Sequence, residues 1–466
     1  MICLLCILSF WISSLTNAAT ASSQTQMLRG DADGNDRIDI RDVTCIQRVI
    51  SEIETISPLR QTAADVNRDS VTDINDATLI QRYLAEYEND YRIGRFPAES
   101  PPAYWQNEVN DTVGKIKAIQ TQHSQNLICF GWCSDIHIPA NGTVYEKRLG
   151  TVAAKVMDDC NIPLFLMSGD MLTGDTGTSL EQIPSAYEKA WEYLSPIDTN
   201  RILAIKGNHD AWTGNNGHGV YYVKGLPPER VNELLFQPQW QDTRRVFGKD
   251  GSYFYLDNKE QKTRYICLNS HWAHYEENPD GTATYTTQKI GGFGQEQLDW
   301  LIEDALNVDS GYSVIITVHV PPTDKTISYY NNSIREYYIF RGIITAFCNK
   351  TSYQGTYTHS SKGQYLQEGT WADVSVSCDF SSYHGNLLSI FCGHDHCDQI
   401  ITNDLPVPIV CITSAINTPY DAEWSSREAG TSNETAIDFV CIDTSTGQIE
   451  LIRCGYGNDR SYTPPT

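Results

Sequence analysis

Five short blocks carry side chains whose types and order could do chemistry. They are Asp135-Ile136-His137, Gly169-Asp170, Gly207-Asn208-His209-Asp210, a lone His319, and Gly393-His394-Asp395-His396. Imidazole, carboxylate and carboxamide donors in one set suit Mn, Fe, Zn or similar divalent ions better than calcium or a soft metal. Taken singly each block is weak, since a histidine after an apolar run is often structural and Gly-Asp is common. The ordered set of five is specific, and it points to a pair of divalent metals working on a substrate.

Such side chains need rigid elements to hold them, and each block follows an apolar run of strand length. Asn126–Cys133 precedes Asp135, Pro163–Met167 precedes Gly169, and Arg201–Ile205 precedes Gly207. Ser313–Val318 runs into His319, Leu387–Phe391 runs into Gly393, and a helix is expected over Tyr145–Asp159. Strand after strand delivering a polar residue at its C-terminal end is the layout of an α/β site. In extended chain, residues i and i+2 share a side, so Asp135 and His137 are expected to reach one metal together. Glycine ahead of Asp170 lets backbone approach closely.

Over about residues 127–415 this set resembles that of the calcineurin-like metallophosphoesterases. The resemblance implies an α/β fold, a four-layer α/β/β/α sandwich, and a two-metal centre. Asp135, His137, Asp170 and His396 would hold the first metal. Asp170 would bridge, and Asn208, His319 and His394 would complete the second. The implied activity is hydrolysis of phosphate esters: metals ~3.5–4 Å apart acidify a bridging water and clamp the phosphoryl oxygens for in-line attack. His209 is not a ligand in that family. Its implied role is to stabilise the transition state or protonate the leaving oxygen, with Asp210 orienting it as carboxylates orient other histidines. Purple acid phosphatases carry tyrosine where this chain has Thr173, so their tyrosinate-iron variant is not implied. Cys133 and Cys397 flank the blocks, but an oxygen- and nitrogen-rich set does not need them.

Near the N-terminus a second pattern occurs twice. Asp31, Asp33, Asn35, Asp39 and Asp42 occupy positions 1, 3, 5, 9 and 12 of one loop, and Asp65, Asn67, Asp69, Asp73 and Asp76 those of another, 34 residues on. Calcium needs ~6–8 oxygens, which such alternation can supply, with Arg37 and Val71 offering backbone carbonyls. Position 6 holds Asp36 or Ser70 where an EF-hand has glycine. The flanking runs Cys45–Ile50 and Leu79–Leu84 also match. The repeat resembles a type I dockerin, an all-α EF-hand-like module. That implies two Ca2+ ions and, as partner, a cohesin module of a scaffoldin, with Ile40-Arg41 and Ile74-Asn75 where recognition residues fall. A cellulosome, and through it polysaccharide catabolism, would then be the setting.

The chain of 466 residues is long enough for two or three domains, and its formal charge of −24 is far from neutral. That field repels nucleic-acid polymers, so none is expected as partner; it also repels phosphate esters, which metals would have to draw in. Residues 1–21 read as a signal peptide, an apolar run ending in Ala19-Thr20-Ala21 and too short for a membrane span, although no basic region precedes it. No later segment is apolar enough to span, and the protein is expected to be secreted and extracellular. The expected order is signal 1–21, dockerin 28–91, proline-containing linker 92–104 and phosphoesterase domain 105–466. Several of the fourteen cysteines, such as Cys267 and Cys411, sit in apolar runs, as small hydrophobes do, so most are expected reduced.

An insert after His319 is rich in aromatics: Tyr329, Tyr330, Tyr337, Tyr338, Tyr353, Tyr357, Tyr365, Trp371 and Tyr383. A core for the insert itself is favoured over a lid that stacks on a base or sugar. His271, His274 and His384 read as incidental. The apolar runs between Leu405 and Arg453 are expected to close the second sheet. Three functions stay open: a scaffold-anchored phosphoesterase, a non-catalytic cohesin-binding subunit whose second domain only binds ligand, and an enzyme whose calcium loops merely stabilise a helical pair. No residue decides between mono- and diesters.

Overall fold

The structure, a computed structural model, describes residues 27–87, 93–96, 99–123, 126–138, 148–174, 180–211, 226–281, 284–285, 291–323, 334–359, 369–416 and 427–464. The expected signal peptide lies outside these residues, as do Tyr329, Tyr330, Tyr365 and the first turn of the helix expected from Tyr145. No helix among the described residues is long and apolar enough to cross a membrane. The chain divides into two compact units, Met1–Pro97 and Ala98–Thr466.

The first unit holds helices α1 (Ile40–Ile50), α2 (Pro58–Ala64) and α3 (Ile74–Leu84). The repeated aspartates set two of the helix starts. Asp39 and Asp73 are N-caps, and Asp42 and Asp76 return the bond to complete capping boxes. Val43, Ile46, Val66, Ala77, Ile80 and Ile93 form the core. Backbone bonds from Arg29 to Arg95 and from Gly94 to Arg29, each 2.8 Å, tie the two ends together. Part of the segment expected as linker therefore belongs to this unit.

In the second unit, α4 (Gln106–Gln122) leads into β1 (Leu127–Cys133), then α5 (Arg148–Asp159), β2 (Phe165–Met167), α6 (Ile183–Leu194), β3 (Ile202–Ala204) and α7 (Pro228–Trp240). Next come β4 (Arg245–Phe247), β5 (Phe254–Asn258), β6 (Thr263–Cys267), α8 (Gly294–Trp300), β7 (Ser313–Thr317) and α9 (Tyr337–Asn349). They are followed by β8 (Ser352–Tyr357), β9 (Val374–Asp379), β10 (Asn386–Cys392), β11 (Gln399–Ile401), β12 (Ile409–Cys411), β13 (Ala436–Asp443), β14 (Ile449–Gly455) and β15 (Arg460–Tyr462). One sheet runs β15-β14-β13-β1-β2-β3, a second runs β11-β12-β10-β7-β6-β5-β4, and β8 pairs with β9.

The sheets face each other, and period-2 alternation builds both cores. Phe130 of β1 meets Tyr265 of β6 and Phe391 of β10 edge-on, at 5.8 and 5.2 Å between ring centroids. Along β7, Ile315 joins the core between the sheets, while Val314 and Ile316 join the core under α8 and α9. Helices α4–α7 cover the other sheet. The layers are α/β/β/α.

The last strands depart from expectation. β12 pairs with β10 in the second sheet, but β13 pairs antiparallel with β1, Leu127 opposite Asp443, and so belongs to the first. The edge of β1 opposite β2 has to be covered, and β13 covers it. Four of the six described insert aromatics pack as a core: Tyr337, Tyr353, Tyr357 and Tyr383 lie against the α8–α9 cluster. All twelve described cysteines are free, and ten are buried.

Candidate metal centres

Parallel strands β1, β2, β6, β7 and β10 end toward one region, and polar side chains leave them there. The expected extended geometry for Asp135 and His137 is not what the chain uses. β1 stops at Cys133, and Asp135 and His137 are left-handed, with φ of 54° and 40°. Asp170, His394 and His396 are left-handed too, at 55°, 70° and 51°. Non-glycine residues avoid this region unless their surroundings hold them there. Here backbone bonds do so: Asp135 N–H donates to Gly169 O and His137 N–H to Asp170 O, both 3.0 Å. Gly169, at φ 102°, is needed as glycine, because a Cβ there would lie 2.4 Å from His319 Nδ1.

Three groups of donors result, each with its atoms within 4.8 Å of one another: Asp135/His137/His396, Asp170/His319/His394 and His137/Asp170/His209. His137 Nε2 stands 3.1 Å from His396 Nε2, which stands 3.2 Å from Asp135 Oδ1. Asn208 Oδ1 lies 2.9 Å from His394 Nδ1 and 3.1 Å from His319 Nε2. Asp170 Oδ2 is 3.2 Å from His319 Nε2 and 3.9 Å from His137 Nε2, so it faces both sets. Its other oxygen accepts the His209 N–H at 2.8 Å. Donors ~2.1 Å from one ion stand about 3–3.4 Å apart, so these spacings and this N/O chemistry fit divalent ions.

Burial and mutual charge set the protonation states. Burial pulls His137 and His394 down to about 3, leaving neutral imidazoles that can ligate. Burial also opposes charge on His319, but the carboxylates of Asp170 and Asp135 outweigh it and hold it at about 9. Despite burial, neighbouring histidines keep Asp135 and Asp170 below the usual carboxylate range.

His209 Nδ1 lies 2.6 Å from Thr173 O. The expectation that Asp210 orients His209 is therefore corrected. Asp210 is fully buried, and its carboxylate accepts the backbone N–H groups of Asp170 (2.9 Å), Gly207 (2.8 Å) and Leu172 (3.1 Å). It ties the loops after β2 and β3 together, while the imidazole Nδ1 takes the Thr173 carbonyl instead. Burial and the Asp170 charge push its own pKa up to about 6.

His271, read as incidental, is fully buried beside the centre, its ring 5.6 Å from His319 and 6.4 Å from His394. Its Nδ1 is 3.1 Å from Ser270 Oγ, and its buried Nε2 has no partner among the described residues. It follows the end of β6, so the rule that locates His319 after β7 would find it as well. Lys206, two residues before Asn208, escapes the sequence reading; it is buried, and burial lowers it to about 8. His384 is not in any of the donor groups.

In the first unit, the carboxylates of Asp31, Asp33 and Asp42 converge within 4.8 Å. Asn35 Oδ1 and Asp65 Oδ1 are buried without partners among the described residues, as oxygens awaiting a hard cation would be. Asp36 and Ser70 make the turn that glycine makes in an EF-hand, at φ of 62° and 72°. Asp39 and Asp73 spend their side chains on the helix starts, where each accepts a backbone N–H. Ile40 and Ile74 are 59% and 56% exposed. Arg41 and Asn75 fold back onto Asp39 and Asp73, at 2.6 and 3.1 Å.

The dockerin type I domain model matches residues 29–85, and the calcineurin-like phosphoesterase model matches residues 130–398. Among solved structures, a dimetal phosphatase from Danio rerio is similar at 12% identity and a TM-score of 0.44, over 72% of this chain and 98% of that one. A phosphopantetheinyl hydrolase from Mycobacterium tuberculosis is similar at 11% identity and a TM-score of 0.29, over 66% and 94%. No curated protein matches the chain.

Proposed function

The chain belongs to the calcineurin-like phosphoesterase family and carries a dockerin type I domain, and on that premise we propose that it is a scaffold-anchored phosphoric-ester hydrolase. Asp135, His137, Asp170 and His396 hold one divalent transition-metal ion; Asp170, Asn208, His319 and His394 hold the other. The observation that carries this is the place of Asp170 Oδ2 between His319 and His137. Bound there, two such ions would acidify water and draw in the phosphoryl oxygens that a net charge of −24 repels. His209 steadies the developing charge or protonates the leaving oxygen through Nε2, its Nδ1 being held by Thr173. Asp210 is a positioning residue that fixes the Asp170 and Asn208 loops. The N-terminal module binds two calcium ions and docks on a cohesin, placing the enzyme outside the cell on a cellulosome.

The test is release of nitrophenolate from p-nitrophenyl and bis-p-nitrophenyl phosphates by the full chain, with Mn2+ and with chelator. Metal-dependent turnover of either ester is expected, and the preferred ester separates mono- from diesterase. A protein that holds two metals per chain and turns over neither ester would instead be a ligand-binding subunit.

A further inference from the structure

Beside the metal centre lies a cavity of about 510 Å³ to which the hydrolytic groups give no role. The loops after β3 and β6 and the start of α7 wall it. Two of its lining residues touch both sides of the wall. His271 packs its ring on His319 and His394, and its carbonyl oxygen lies 3.4 Å from Lys206 Nζ. Lys206 stands two residues ahead of Asn208. The cavity therefore begins about one imidazole's width from the ligand cluster.

Its two faces differ in chemistry. At the inner end, the buried Lys206 ammonium has three donors and one long bond to a carbonyl; the carboxylates of Asp250, which lines the same cavity, and Asp210 act on it from beyond ion-pair distance. With one long hydrogen bond among three donors, the ammonium can take an acceptor brought by a ligand. The outer side is aromatic: Trp272, His274 and Tyr285 line it, backed by Trp371, whose ring lies 4.9 Å from Tyr285 and 5.7 Å from Trp272. The Arg335 guanidinium braces this cluster, 4.8 Å from the Trp371 ring and 2.9 Å from Trp272 O. These aromatics do not join either large core of the unit. Aromatic faces around a cavity favour a flat, polarisable guest over an alkyl chain.

We propose that this cavity is the subsite for the organic group of the ester, and that it takes a planar ring bearing an oxygen that accepts from Lys206. The inference rests on the phosphoesterase reading, since it places the phosphoryl group at the metals and the ring past His271.

The test uses the Mn-loaded full chain and non-hydrolysable probes. Phenylphosphonate is expected to bind roughly tenfold tighter than methylphosphonate, the size of one good aromatic contact. Trp272→Ala is expected to bring that ratio close to one, whereas Tyr338→Ala, on an exposed ring in the insert, leaves it. Lys206→Met is expected to weaken 4-carboxyphenylphosphonate more than phenylphosphonate. Equal affinity of the wild type for phenyl and methyl probes overturns the proposal, as does a ratio that survives Trp272→Ala. Turnover of phenyl phosphate, run alongside, separates the two readings. Turnover with no ring preference rejects the subsite and keeps the hydrolase; ring preference without turnover rejects the hydrolase and keeps the subsite. Failure of both phosphonates to bind rejects both.

Discussion

His209 Nδ1 stands 2.6 Å from the carbonyl oxygen of Thr173. A carbonyl can only accept, so Nδ1 carries the hydrogen, and Nε2 is the ring nitrogen not spent on that bond. The imidazole is held by backbone and not by a carboxylate. On the proposed assignment, removing it takes away a proton carrier and leaves the seven assigned ligands in place. His209→Ala should keep both metals, measured by plasma mass spectrometry, and slow turnover by roughly 10²–10⁴-fold. Metal loss in that variant would overturn the role.

The loop after β3 has no room to spare. A Cβ on Gly207 would fall 2.0 Å from Asp170 Oδ1 and 2.4 Å from Asp170 N. Gly207→Ala should therefore displace the Asp170 carboxylate, cutting metal affinity at least ~tenfold with activity falling in step. Gly114 is exposed within α4, and a Cβ there would meet nothing within 4 Å. Gly114→Ala should gain about 0.5–1 kcal/mol of stability and keep full metal occupancy. Calorimetric metal titration of the two variants checks the contrast.

Calcium binding should be set against protons. Burial raises Asp42 and Asp76 from 3.8 to about 6, only partly offset by the backbone N–H groups they accept. Because the folded carboxyls are the weaker acids, protons stabilise the calcium-free unit; that contribution is full below about 3.8 and lost as pH rises through about 6. Calcium needs both groups ionised. Above pH ~6 it binds without expelling protons, and below that it must displace one in each loop, so affinity should fall roughly tenfold per pH unit per loop. Titration calorimetry at several pH values tests this, and a flat profile would count against it.

Ile40 and Ile74 present the same exposed side chain from the two copies of the repeat, just past the caps Asp39 and Asp73. If either copy can seat a cohesin, removing one of two equal modes costs about twofold by counting alone. Ile40→Ala or Ile74→Ala alone should thus lower affinity only about twofold, and the double variant at least ~tenfold. Chelating calcium should abolish binding. No binding across a broad cohesin panel would favour loops that only stabilise their own helices.

Most of the strand ends are legible because apolar runs of strand length stop where a polar block begins, as at Met167 before Gly169 and Thr317 before His319. What the local pattern cannot carry is backbone conformation outside regular elements. Asp135 and His137 read as alternate residues of a strand, whereas both are left-handed and are held by bonds from the β2 loop. Asp210 departs from expectation for a related reason: its neighbour in sequence is His209, but its partners are amides up to 40 residues away. The pairing of β13 with β1 is a contact between the two ends of the unit, and no period within either strand encodes it. His271 needs only consistency, since β6 ends as β7 and β10 do.

That pairing also orders events on the ribosome. Every proposed ligand, from Asp135 to His396, is synthesised before β13 at Ala436–Asp443 exists to cover the edge of β1. A nascent chain halted after His396 would hold the whole donor set and an open, apolar edge strand beside it. Contacts this far apart in sequence close slowly, and exposed edges recruit other chains. The small N-terminal unit, whose helices pair over a few tens of residues, can fold while this edge is still bare. Protection of the growing chain should therefore matter most in the last stretch of translation, between His396 and Asp443.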